Sequence, residues 1–441
     1  MSKKLLNVLL VGASVLSFTS CSNKPSNDDG ELTGTAKIVA EASQMTIEEL
    51  EAASKAEMEA SNDTFKVLGL TSALSKAVSQ LIAKYDWLTE DNTYCNNSYK
   101  DYTLLNALDP AANTYVADYA LVQDARSIGD YTKAGILHNF VPSDAESFGL
   151  AEDGKEPLNG IHFNKVFWTN TNFTNVTGKT LYNVWQVAGS ASDPDHLSKV
   201  SFQSPVTEQV NMSFLLSVMA PESQSRMEKA YKSYYGKDWA ATDKYPSCGQ
   251  QWVEEFIANV SRWHSSDGTA MKETQLKDDW NEGYVYFGAY SKMKDAAGKY
   301  YAVDGIDESL KETTGDNAGK VQAMKTVKWD WEIEGFNGYF YTMDSQVVNN
   351  AKHPYTACLF ARYILDPDFY TQTIYSSTTP NKDGSKGNQY GYYYPGTSSK
   401  VSVNDNDWTK DKWKEVSLVE SYSYLKDVRS TKVAYINSLI K

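Results

Sequence analysis

Short apolar runs alternate with helix-period segments along most of this chain, and that alternation restricts the fold more than any other feature of the sequence. Residues 64–70 (TFKVLGL) are β-branched and apolar, as a buried strand requires, and pass through Thr71-Ser72 into a helical pattern over 73–85. Residues 119–122 (YALV) form a second such strand, ending at Gln123-Asp124-Ala125-Arg126 ahead of a helix over 130–137. A third strand, 165–169 (KVFWT), leads into Asn170-Thr171-Asn172. Helical spacing recurs over 222–235, 251–264, 355–365 and 421–439, and aromatic-rich strands over 283–290 (GYVYFGAY) and 338–343 (GYFYTM). Such alternation predicts an α/β fold with largely parallel sheets. Before the first strand, residues 46–60 predict a helix with Thr46 as N-cap and Glu49 at the capping-box position. The Gly-, Ser-, Thr- and Asp-rich stretches 304–320 and 376–388 read as surface loops.

The N-terminal residues give an address. Lys3 and Lys4 precede an apolar stretch over 5–16 (LLNVLLVGASVL), which is too short to span a bilayer and reads as a removed secretory signal. Phe18-Thr19-Ser20-Cys21 follows and has the form of a lipobox, with Phe18 bulkier than the usual aliphatic residue there. Residues 1–21 are therefore expected to be the signal, and Cys21 the site of lipid attachment. Residues 22–45 begin polar and contain no aromatics, which predicts a disordered tether. Fully extended, residues 22–43 would reach on the order of 70 Å at about 3.3 Å per residue. The net charge of −14 disfavours nucleic acid and anionic membrane surfaces as partners. Setting Cys21 aside leaves Cys95, Cys248 and Cys358. One bridge, Cys95 with Cys248, is open, whereas Cys358 lies in an apolar helical pattern and reads as a buried thiol. No CxxC pair is present and the five histidines are scattered, so neither a structural zinc site nor another metal site is expected.

Taken in order, TFKVLGLTSALSKA, ADYALVQDARSI, GILHNFVP, KVFWTNTNF, LYNVWQVAG, KVSFQSPVTE, AYKSYYGKDW and HPYTACLFARYILDP resemble pieces of the extracellular solute-binding proteins of ABC importers. The branch they resemble includes ferric-ion, polyamine and sugar-type binders, and the likeness covers residues 46–441. It implies a type II periplasmic-binding-protein fold, an α/β architecture of two lobes joined at a hinge around a central ligand cleft. By analogy one lobe is built from residues 62–165 plus 335–395 and the other from 166–334 plus 396–441, with residues 165–170 as the first crossing. The resemblance further implies a monomer that binds a small polar solute and meets a membrane permease. It implies no cofactor and no enzymatic turnover. A lipidated member would sit on the outer side of the cytoplasmic membrane, held there only by its anchor.

Open α/β sheets bind ligands beyond the carboxyl ends of their strands, which sets the candidates. Thr71 and Ser72 lie at a strand-to-helix turn, where free backbone N–H groups suit a polar or anionic group. Gln123 and Asp124 lie at a strand end, and Trp168, Thr169 and Asn170 at the expected hinge. Ser204 precedes Pro205 at a helix start, and Tyr286, Tyr339 and Tyr341 lie on later strands. Each has a structural alternative: Thr71 and Ser204 as helix caps, Asp124 as a cap or a partner of Arg126, Trp168 as core. Tyr234-Tyr235 falls within AYKSYYGKDW, which resembles a family helix end, and is read that way rather than as the tyrosine pair of ferric-ion binders. Two other functions compete, a polysaccharide-binding surface lipoprotein and a secreted glycoside hydrolase. The hydrolase would need a carboxylate pair at a set spacing that a sequence cannot display, and no GxSxG, HExxH or P-loop pattern is present.

Overall fold

Apolar runs of this kind have no polar face to turn towards water, so they fold as strands covered on both sides. The computed structural model describes residues 32–99, 115–123, 125–274, 276–292, 305–311, 321–324, 327–329, 333–370, 394–395 and 408–440. The signal with Cys21, as well as Asp124 and residues 376–388, lie outside them. Labels below are given to the strands on the main path of the large sheet and to helices of eight residues or more.

Strands β1 (Phe65–Gly69), β2 (Thr93–Asn96) and β3 (Tyr119–Val122) are mutually parallel, with β1 in the middle. The long strand β4 (Asn159–Asn170) carries the chain away to β5 (Val200–Gln203), β6 (Val260–His264) and β7 (Val285–Ala289), where β5 lies between and parallel to the other two. A second long strand, β8 (Gly338–Val348), brings it back. The order across the sheet is β2-β1-β3-β8-β4-β7-β5-β6. β8 is antiparallel to β3 through Asp344–Val347 and to β4 through Gly338–Asp344, and β4 is antiparallel to β7 from Lys165 to Thr169. Two parallel half-sheets thus share a pair of crossing strands. The fold is α/β, as the alternation predicts, but the crossing strands make the sheet mixed.

Nine helices of that length flank the sheet among the described residues: α1 (Gly34–Ala42), α2 (Ile47–Ala60), α3 (Ser72–Lys84), α4 (Gln209–Val218), α5 (Pro221–Tyr235), α6 (Cys248–Asn259), α7 (Asp267–Thr274), α8 (Pro354–Leu365) and α9 (Tyr422–Leu439). The capping box at Thr46 and Glu49 is formed, each side chain meeting the other residue's backbone N–H. α2 joins the first half far along the chain. Ser54 bonds Thr356 at 2.9 Å, and Glu57 accepts the N–H groups of Tyr355 and Thr356 that open α8. Phe65, Tyr119 and Phe360 pack edge to face beneath. In the second half, Phe202, Phe214, Phe287, Phe336, Trp252 and Phe256 form one aromatic layer. α9 lies against α4 and α6, yet its Arg429 donates to the Arg126 carbonyl at 3.1 Å and pairs with Asp130. Both halves therefore hold the last helix.

Several expectations are corrected. Residues 34–42, read as tether, form α1 and bury Val39 and Ala42. The helix expected over 130–137 occupies Ile128–Lys133 instead; Gly135, at φ 70°, turns the chain so that Leu137–His138 can pair with β8. The helix expected over 251–264 stops at Asn259, because Val260–His264 pairs with β5. Gly305–Lys311, expected as loop, pairs with Val321–Met324. Cys95, Cys248 and Cys358 are all free, so the Cys95–Cys248 bridge is not formed.

Candidate functional site

On the first half-sheet, Gly69 sits opposite Leu121, so the turns after β1 and β3 leave from one edge. The Thr71 hydroxyl accepts from the Ala73 N–H at 3.3 Å and caps α3, while Ser72 is exposed as its first residue. Gln123 is half-buried. On the same edge Asp344 faces Val122 and is 1% exposed. Asn159 Nδ2 (3.1 Å) and Thr342 Oγ1 (3.3 Å) both donate to its Oδ1. Burial nevertheless pushes this carboxyl up to about 7, since two neutral donors do not offset desolvation of the charge. Nearer the start of β8, Glu420 accepts from the Tyr339 hydroxyl at 2.9 Å and the Thr342 N–H at 3.2 Å.

On the second half-sheet, β5, β6 and β7 end at Gln203, His264 and Ala289, and Lys165 of the crossing strand lies opposite Ala289. Lys165 is 1% exposed. Its Nζ donates to Asn211 Oδ1 at 2.8 Å and meets Asp267 Oδ2 at 3.2 Å. It thereby joins the first turn of α4 to the first turn of α7. Asn211 Nδ2 in turn bonds the Gln203 carbonyl at 2.8 Å. His264 Nδ1 bonds the Ser201 hydroxyl at 3.2 Å, and its Nε2 points towards Asp267 Oδ1, 3.9 Å away. Burial alone would raise the Asp267 carboxyl, but the charge of Lys165, with the His264 imidazole beside it, outweighs burial and holds this group below the ordinary carboxylate range. Ser204, half-buried past the end of β5, accepts from the Val206 N–H at 3.3 Å within the turn leading to α4.

The remaining candidates divide. Trp168, Thr169 and Asn170 are not at the crossing. Trp168 pairs with Tyr286 and Thr169 with Val285, at the start of β7, so they lie about 10–16 Å beyond Lys165 at about 3.3 Å per residue, towards the far edge. Trp168 is core: its Nε1 donates to Thr274 Oγ1 at 2.9 Å, and its ring stacks on Tyr286. Asn170 donates to the Asp279 carbonyl at 2.9 Å. Thr169 is fully buried, and its hydroxyl has no hydrogen-bond partner. The Tyr286 hydroxyl donates to the Asp279 carboxylate, which Arg262 also binds in a fork at 2.6 and 3.0 Å. The expected crossing at 165–170 overshoots because β4 runs on along the whole of β7. The chain crosses at 161–164, where β4 pairs with β8 before its pairing with β7 begins at Lys165. Tyr339 and Tyr341 do lie there, opposite Lys165 and Phe163, and the Tyr341 ring stacks on Phe163. Tyr234 and Tyr235 close α5, with their hydroxyls bonded to the Pro194 carbonyl and the Asp193 carboxylate. Among the described residues no cluster of His, Cys, Asp or Glu is placed to hold a metal ion.

Asn164, Lys165, Asn211, His264, Asp267 and Asp344 are absent from the sequence-derived candidates. Reading 251–264 as one helix hid strand β6, and with it the edge that presents His264 and Asp267. A lysine at the head of the apolar run 165–169 was the available signal for Lys165.

No protein-family model matches the chain, and no curated protein is detectably similar to it in sequence. Solved structures share its fold. The periplasmic binding protein AfuA of Actinobacillus pleuropneumoniae, with fructose 6-phosphate bound, superposes with a TM-score of 0.56 at 11% identity, over 86% of this chain and 99% of AfuA. Iron-bound HitA of Pseudomonas aeruginosa gives 0.54 at 12% identity, over 86% and 99%. The apo ferric-ion-binding protein A of Pasteurella haemolytica gives 0.51 at 11%, over 86% and 98%. The chain has the two-lobe, type II periplasmic-binding-protein fold.

Proposed function

We propose that this chain is the solute-binding component of an ABC importer, which captures a small polar solute between its lobes and delivers it to a membrane permease. The observation that carries the reading is the double crossing by β4 and β8. It turns the carboxyl ends of the two parallel half-sheets towards the crossing strands, which supports a site built from Thr71 and Gln123 on one side and Lys165 and Asp267 on the other. Solved proteins of this fold, AfuA and HitA, hold fructose 6-phosphate and iron. One lobe comprises residues 62–165 plus 335–395 and the other 166–334 plus 396–441, with α9 leaning on both.

In this reading a solute meets Thr71, Ser72, Gln123 and Asp124 first and gains Lys165, Ser204 and Asp267 when the hinge closes. The affinity then includes the free energy of closure. Tyr339 and Tyr341 line the crossing behind it. The protein acts as a monomer without cofactor or turnover, held to the outer face of the cytoplasmic membrane by lipid on Cys21 and tethered through residues 22–33. Small-angle scattering with and without the bound solute tests the core of this proposal. The radius of gyration should fall on binding, and a solute that binds tightly with no compaction would refute hinge capture. The anchor is tested separately: Cys21→Ala should move the protein from the detergent phase to the aqueous phase.

A further inference from the structure

The corner of the second half-sheet at Lys165 is electrically balanced and incompletely hydrogen-bonded. Lys165 and Asp267 offset each other's charge at 3.2 Å. His264 is 5% exposed, yet its Nε2 has no hydrogen-bond partner, and neither has Asp267 Oδ1 opposite it. Buried polar atoms left open in this way mark a place where a further polar group belongs.

We propose that this corner takes a hydroxyl group of an uncharged, hydroxylated solute, a polyol or a sugar; the inference rests on the solute-binding reading and names the class of solute. The chemistry follows from the two open atoms. Asp267 Oδ1 can only accept. His264 Nε2, facing that carboxylate, is favoured as the N–H tautomer, with Nδ1 accepting from Ser201. An adjacent acceptor and donor are matched by a group that both donates and accepts, which is what a hydroxyl does. The distances agree: an oxygen about 2.8 Å from each atom bridges the separation of 3.9 Å at an angle near 90°. A phosphate or carboxylate would press its charge against Asp267 Oδ1, and a polyamine or metal cation would meet Lys165 and the His264 N–H. Neither charge sign finds an unmatched partner here.

The test uses the full chain. Native mass spectrometry of freshly purified protein identifies any retained solute, and calorimetry then measures D-glucose, D-xylose, D-mannitol and myo-inositol against glucose 6-phosphate, glutamate, spermidine and ferric citrate. An uncharged hydroxylated compound should be retained or bound, and Asp267→Asn and His264→Phe should each weaken it about ten- to a hundredfold. Near-UV circular dichroism checks that each variant is folded. His264→Phe conserves volume and leaves the Lys165–Asp267 pair intact, so it decides the matter if Asp267→Asn does not fold. Retention of a charged solute alone would overturn the class while leaving the binder reading in place. Unaltered affinity in both variants would show that the corner holds only water. A protein that retains and binds nothing would count against solute capture itself, and the inference would fall with it.

Discussion

Trp168 separates what a side chain looks like from what it does. Its ring sits in the second lobe on Tyr286, and its one polar atom is bonded to Thr274. Trp168→Ala should therefore cost about 3–5 kcal/mol of stability by urea unfolding, as removal of a core ring does. Asp344 makes the opposite kind of prediction. Its carboxyl, pushed up to about 7 by burial, lies above the unfolded value of about 3.9. The native state thus holds a proton that the unfolded chain releases. This group's contribution to stability is full below about pH 4 and is lost as the pH rises through about 7. Urea midpoints of the parent should fall from pH 5 to pH 8, and Asp344→Asn should flatten that fall. Residue roles that depend on near neighbours were legible in the sequence: Thr46 with Glu49, and Thr71 as a cap, both act within one turn. Lys165, His264 and Asp267 were not, because their meeting depends on three strands ending at one edge.

Among elements, those whose pattern is mainly apolar were readable nearly to the residue, as at Tyr119–Val122 and Pro354–Leu365. Boundaries failed where one pattern runs into another. Trp252, Val253, Phe256 and Ile257 have helical spacing, and the following Val260–His264 continues without Gly or Pro, so only pairing with β5 reveals the change. The length of β4 was hidden for a related reason. Residues 159–164 mix Asn and His with apolar residues, and their burial comes from β8, which lies more than 160 positions later in sequence. The two crossing strands lie close together at Gly338, where an added Cβ would clash with the Lys165 carbonyl oxygen. That atom is backbone and cannot swing aside. Gly338→Ala should destabilise the protein by roughly 1–3 kcal/mol, read as a lower melting temperature. It should also displace Lys165, weakening solute binding more than the stability loss alone predicts.

The whole molecule has two lobes but no contiguous segment that completes the first. β3 is covered by β8, the Tyr119 hydroxyl bonds Ser345 across 226 positions, and Asp118 accepts the His353 N–H across 235. A chain truncated after Asn337 lacks β8 and α8. It should show no cooperative unfolding transition in its first lobe and should be cut rapidly there by protease. The alternation of strands and helices made the architecture legible, but this interleaving was visible only through the family resemblance, since nothing in residues 338–348 states which earlier strand they will join. The interleaving also acts as a clock. Contacts this distant are slow to form, and at a synthesis rate of about 5–20 residues per second the wait between β3 and its cover is roughly 10–45 s. Under the proposed export through a membrane pore, that delay would be an advantage, because the leading half could not lock into a body too wide for the pore before the trailing half had followed it through.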